Sequence, residues 1–267
     1  MRFTVISVFP QIVDVFCAHG LVGQACAKNL VQVRTVNPRS FTTDAHQSVD
    51  DRAFGGGDGM VMKAEPLAEA VTRLRAEGPV KVVVLSPQGR VWNQADAVQW
   101  AGEGGHVALI CGRYAGIDHR FTVQHADDEI SLGDFVLNGG EIAACAVLES
   151  VVRLRPGVLG NEISASRDSF SAGLLECPQF TRPREIFGLP VPEVLLSGHH
   201  ERIAKFESAV SLVRTALLRP DLLPSPVPGL ELAVTAILEL EDGELRSLGL
   251  TRADLIGLQE GNEHEQR

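Results

Sequence analysis

Several features are missing from this sequence, and each absence narrows the possibilities. No run reaches the ~18 consecutive apolar residues of a membrane helix. The opening MRFTVISVFP holds one arginine and a short apolar run, too little for a signal peptide. The five cysteines, Cys17, Cys26, Cys111, Cys145 and Cys177, are odd in number and include no CxxC pair. Neither a disulfide framework nor a zinc knuckle is therefore signalled. The eight histidines show no HExxH spacing, so no metal site built from protein ligands is expected. There is no GK[ST] after a glycine loop and no GxGxxG opening a helix, which argues against P-loop and dinucleotide-binding chemistry. These absences predict a cytoplasmic protein with no membrane association.

What is present is ordinary globular material. Of 267 residues, 45% are apolar and 22% charged, which suits one large or two modest domains. The net charge of −10 argues at first against a nucleic-acid partner. Its distribution weakens that objection. Residues 1–160 carry 14 basic and 17 acidic groups, whereas the last 47 residues carry 3 and 10.

The first 160 residues alternate strand and helix signals. FTVISVF, VQVRTVN, KVVVLSPQGR, HVALICGRY and EISLGDF read as strands, several of them buried on both faces. Between them lie QIVDVFCAHGLVGQACAKN, a helix opened by Pro66 with Leu67, Ala70, Val71 and Leu74 on one face, a helix capped by Asn93 with Asp96, and EIAACAVLESVVRL. This alternation predicts an α/β domain with a mainly parallel sheet. From Pro38 to Met60 runs a polar segment without periodicity, longer than idle loops usually are and so a functional candidate. After Pro156 the chain becomes small and polar. HHERIAKFESAVSLVRTALLRP is then an amphipathic helix with Ile203, Phe206, Val210, Val213 and Leu217 on one face. LELAVTAILEL and a segment capped by Thr251 and Asp254 follow, so a small helical second domain is expected.

Three buried strands end in small-residue loops: Ser86–Gly89, Gly112–Gly116 and Leu132–Gly140. Ligands bind at the carboxyl ends of strands in open parallel sheets, and glycines there let backbone groups touch a flat ring. A nucleotide-shaped ligand is the expectation. The run Asp127, Asp128, Glu129 reads as a solvated face.

The blocks SVDDRAFGGGDGM, LSPQGR, ICGRYAGID, EISLGDFVLNGGE, RPGVLGNEISASRDSF, LLECPQFTRP and VPEVLLSGHH resemble, in this order, the bacterial tRNA (guanine-37, nitrogen-1) methyltransferases. The resemblance spans about residues 1–222. It implies a SPOUT-type α/β fold with a deep C-terminal trefoil knot, S-adenosylmethionine as methyl donor, the tRNA anticodon stem-loop as substrate, and a homodimer whose active site is shared between subunits. The division it suggests is a knotted donor-binding domain (1–160), a flexible linker (161–172) and a helical tRNA-binding domain with an acidic extension (173–267). Carried over by position, the donor would contact Leu85, Ser86 and Pro87, then Gly112 and Tyr114. Beyond these it would meet Leu132, Gly133, Asp134, Phe135, Val136 and Leu137, with Gly139 and Gly140. Asp168 matches the family's general base and Arg153 its catalytic arginine. Asp50 and Ser164 match RNA-contacting positions.

The chemistry fits these residue types. Guanine nitrogen-1 must lose its proton before it attacks a methyl group, which a carboxylate can accept. The charge that moves to the carbonyl oxygen suits a guanidinium. Three departures stand out. Ala115 occupies a position where the family usually has Glu, DDRAFGGGDGM lacks two of the family's prolines, and the chain after about residue 225 has no mapped counterpart. Magnesium is possible for this chemistry, but no residue pattern indicates it. An RNA-binding relative with weakened catalysis is the alternative reading.

Overall fold

The computed structural model describes residues 1–56, 59–160 and 168–265, with side chains to 260. Ser164 and most of the segment expected to be a linker lie outside the described residues. The chain forms two compact units, residues 1–162 and 163–267.

The first unit is built on a five-stranded sheet of order β2-β1-β6-β5-β7. Its members are β1 (Arg2–Ile6), β2 (Gln32–Val36), β5 (Lys81–Val91), β6 (His106–Cys111) and β7 (Asp128–Ser131). Every pairing is parallel. The apolar runs VVVL and VALIC are continuous because helices cover both faces, and the pleat sends alternate residues to opposite sides. Val83, Leu85, Val107, Leu109 and Cys111 pack toward α1 (Pro10–Cys17), α2 (Gly20–Ala27), α4 (Gln94–Glu103) and α6 (Glu141–Val152). Val82, Val84, Ala108 and Ile110 face the other way, with Leu67, Val71 and Leu74 of α3 (Ala64–Ala76) and Phe121 of α5 (His119–His125).

Local signals explain most boundaries. Asn93 and Asp96 form a reciprocal capping box at the start of α4. Pro66 sits in the first turn of α3, two residues inside its start at Ala64. The single helix expected over residues 11–29 is two, because Gly20 adopts φ +61 and breaks it. The polar segment 38–60 is not featureless. It holds a 3-10 turn at Pro38–Phe41 and β3 (Asp50–Arg52), which pairs antiparallel with β4 (Met60–Met62). Of the run expected to be a solvated face, Asp127 is exposed but bonded to the sheet, and Asp128 is half-buried and paired. An Asp127 carboxylate oxygen accepts the Val82 N–H at 2.7 Å, and Asp128 is ion-paired with Arg90 at 2.9 Å and Lys81 at 3.8 Å. Both therefore tie β7 to β5.

The second unit is mostly helical. A hairpin, β8 (Glu185–Ile186) and β9 (Leu189–Pro190), precedes α7 (Glu193–Leu196), α8 (His200–Leu218), α9 (Leu230–Leu238), α10 (Asp242–Ser247) and α11 (Arg252–Glu265). Phe206, Val210 and Val213 of α8 pack with Val234 and Ile237 of α9 and with Leu245, Leu248, Leu250 and Leu255. The Thr251–Asp254 cap at the start of α11 forms as its spacing predicts. Among the described residues, no helix is long and apolar enough to cross a membrane.

Candidate functional site

A cavity of about 560 Å³ opens at the carboxyl ends of β5, β6 and β7. Three loops wall it: Ser86–Gln88, Gly112–Ile117 and Leu132–Gly140 without Asp134. The first arises because β5 is interrupted. Leu85 and Arg90 both pair with Ile130, so Ser86–Gly89 bulge out of the strand. Gly89 closes this bulge, since a Cβ there would stand 2.4 Å from the Glu129 carbonyl carbon. The third loop meets the second backbone to backbone. Gly140 N–H donates to Gly112 O at 3.0 Å, and a Cβ on Gly140 would lie 2.8 Å from Cys111 Cα.

Every residue that the family resemblance assigns to the donor lies on this wall except Asp134. Arg113, His119, Thr122 and Glu129 also line it, although none was expected to bind a ligand and Glu129 was expected on a solvated face. Arg113 lies inside the marked Gly112–Gly116 loop, and that placement was its signal. Tyr114, at φ +62, turns the second loop over. Its neighbour Ala115 donates its N–H to Met60 O at 2.8 Å, and Met62 N–H donates to Gly116 O at 2.9 Å. The β3–β4 hairpin is thereby tied to the cavity loop, and Asp50 sits on β3 opposite Met62, half-buried and off the wall. Among the described residues, Glu129 is the only carboxylate on the wall, because position 115 is alanine.

A buried ionic clasp underlies the two glycine loops. Glu141, in the first turn of α6, is 1% exposed. It accepts the Ser7 hydroxyl at 2.5 Å and two Arg113 nitrogens at 3.1 and 2.9 Å. The Arg113 guanidinium also lies 4.6 Å over the Phe9 ring. One carboxylate thus joins residues just beyond β1 and β6 to the start of α6, a sound arrangement for a buried charge because every partner is satisfied.

Other sequence candidates fall elsewhere. Arg153 caps the C-terminus of α6, half-buried, with its N–H on Glu149 O at 3.1 Å. It does not line the cavity. Asp168 belongs to the second unit, half-buried, and its carbonyl accepts the Ser171 N–H at 3.1 Å. The thiols of Cys111 and Cys145 are buried, which disfavours the reactive thiolate. Burial pushes Cys111 well up and Cys145 up to about 11. Among the described residues, no three His, Cys, Asp or Glu side chains gather to hold a metal ion.

Residues 1–225 match the family described as tRNA (Guanine-1)-methyltransferase TrmD. The chain belongs to this family. It is 48% identical to a tRNA (guanine-N(1)-)-methyltransferase of Actinobacillus succinogenes over 225 residues, covering 84% of this chain and 91% of that one. It is 50% identical to one of Stutzerimonas stutzeri over 227 residues (84% and 90%). A Glaesserella parasuis relative matches at 48% over 231 residues (84% and 90%). Methyltransferases of this family need a donor of the S-adenosylmethionine type, and the cavity fits one. Its volume lies within the ~300–1,000 Å³ of small-molecule sites. Three small-residue loops present backbone edges to it, and Phe135, Val136 and Leu137 offer an apolar rim that is otherwise exposed.

Proposed function

We propose that this chain is a tRNA (guanine-N1)-methyltransferase acting at guanine-37, beside the anticodon of a subset of tRNAs. Leu85 to Pro87, Gly112, Tyr114 and the Leu132–Gly140 loop hold the donor. When bound, S-adenosylmethionine supplies a methyl group activated by its positive sulfur. Asp168 accepts the proton from guanine nitrogen-1, and Arg153 stabilises the charge that develops on the guanine carbonyl oxygen. Asp50 and Ser164 contact the RNA around the base, which must leave its stack to reach the site. The observation that carries this reading is one cavity gathering three loops, separated in sequence, that the family resemblance assigns to the donor.

The finer architecture follows in the same way. The tight backbone crossing of Gly140 over Cys111 and Gly112 supports a trefoil knot. A homodimer is supported by apolar side chains left exposed on neighbouring elements. Phe9, just before α1, is 47% exposed, Val15 on α1 62%, and Ile142 on α6 57%. In such a dimer, Asp168 of one subunit serves the donor cavity of the other. Residues 1–160 are the donor-binding domain and 173–267 the tRNA-binding domain. The protein is cytoplasmic.

The test is incubation with methyl-labelled donor and tRNA transcripts carrying guanine or adenine at position 37, followed by nucleoside analysis. Formation of 1-methylguanosine on the first transcript alone is expected. Donor and tRNA binding without transfer would instead assign an RNA-binding relative that has lost catalysis.

A further inference from the structure

The segment Thr181–Pro190, TRPREIFGLP, carries an aromatic residue that neither turn chemistry nor packing explains. It forms the β8–β9 hairpin, with Glu185 opposite Pro190 and Ile186 opposite Leu189. Its two-residue turn is Phe187–Gly188, at φ +56 and +70. Tight hairpins of this kind need positive φ at both positions, and Asn-Gly or Asp-Gly meets that need with least strain. Phenylalanine is a poor choice there because its Cβ crowds the backbone in the left-handed region. Burial does not offset the strain either, since Phe187 is 91% exposed.

The hairpin that presents this ring is firmly seated. Pro190 packs against α10, where a Cβ on Gly243 would already stand 3.3 Å from the Pro190 ring. The following residue, Val191, donates its N–H to Arg184 O at 2.8 Å. Glu193 N–H then donates to the Glu244 carboxylate at 2.7 Å. The ring therefore projects from a braced support. Beside it, Arg182 and Arg184 are exposed, and neither has an ion-pair partner among the described residues. Glu185 is the one acidic side chain between Thr181 and Pro190. These guanidiniums stand out in a unit whose last 47 residues carry ten acidic and three basic groups.

We propose that Phe187 stacks on an unpaired base of the tRNA substrate while Arg182 and Arg184 engage the adjacent phosphates. The proposal rests on the methyltransferase reading above. A strained, solvent-facing aromatic ring on a hairpin that also carries exposed guanidiniums is the combination that single-stranded RNA rewards. Every base offers a π-face, and the backbone offers a negative charge at each nucleotide. The contact is a binding and specificity element.

The decisive variant is Phe187→Asn, which suits the turn better than the native residue and so removes folding failure as an explanation. Its melting temperature should be equal or higher. Its KM for tRNA transcript should rise about 5- to 150-fold, the range for loss of one base–aromatic stack, with kcat and donor affinity unchanged. Phe187→Trp should restore KM. Arg182→Ala and Arg184→Ala should each lower the salt slope of tRNA binding by about one. A stable Asn variant with unchanged KM would overturn the proposal. Loss of self-association in sedimentation, with tRNA binding intact, would overturn it too and assign the ring to a second copy of the chain. Failure of the wild-type chain to methylate any tRNA would be a separate result, removing the reading beneath the proposal.

Discussion

Replacing Glu141 by alanine would test whether the buried clasp organises the donor loops. The Glu141 side chain is 1% exposed and its partner Arg113 21%. Removing the carboxylate leaves the guanidinium without its counter-charge and the Ser7 hydroxyl without its acceptor. Breaking one side of a buried pair typically costs ~3–5 kcal/mol. Arg113 keeps some solvent access and its stacking on Phe9, so the lower end, about 3 kcal/mol, is expected. For a unit of this size that corresponds to roughly 6–12 °C in melting temperature. Scanning calorimetry on the full chain should show the first unit's transition lowered by that amount and the second unit's unmoved. Titration calorimetry should show donor affinity falling in parallel, because the clasp holds Gly112–Tyr114 against Gly139–Gly140. The double variant with Arg113→Ala should be less destabilised than the sum of the two singles, by about 1–3 kcal/mol of coupling. Additive singles, or a shift under about 2 °C, would refute the reasoning.

Other expectations follow from the same geometry. Asp168→Asn keeps the shape but cannot take the proton, so turnover should drop ~10²-fold or more while calorimetry finds donor affinity unchanged; near-normal turnover would move the base elsewhere, with Asp50 next. Gly140→Ala places a Cβ 2.8 Å from Cys111 Cα and should force the loops apart, weakening donor binding far more than Gly102→Ala, which meets nothing within 4 Å. His106 is held below its ordinary value by burial and by Arg2 and Arg34. Its neutral form belongs to the folded state. Stability should therefore be full above pH ~6.5 and fall as the pH drops toward the lower folded value, and His106→Gln should flatten that part of a melting-temperature profile. An unchanged slope in the variant would assign the acid sensitivity to other groups.

Much of the fold was legible in local pattern. VVVL and VALIC announce strands covered on both faces, Asn93 with Asp96 announces a helix start, and the amphipathic face from Phe206 to Val213 announces the second unit's core. The three glycine-rich strand ends pointed to the cavity, because chain direction in a parallel sheet brings carboxyl ends to one edge. Side-chain types and spacing are local quantities, and these features depend on little else. What only the tertiary structure decided depends on residues far apart in sequence. Ser7, Arg113 and Glu141 share no motif, and the clasp exists because neighbouring strands β1 and β6 end beside the start of α6. The bulge in β5 depends on its register with β7, and Asp128 became an ion-pair partner through Arg90 and Lys81 rather than a solvated charge. The strain on Phe187 was equally invisible, since the residue pair Phe-Gly signals no turn and only the backbone reveals its left-handed geometry. Periodicity reports which face a residue occupies. Three-dimensional pairing decides what stands opposite it, and for charged groups that partner determines the role.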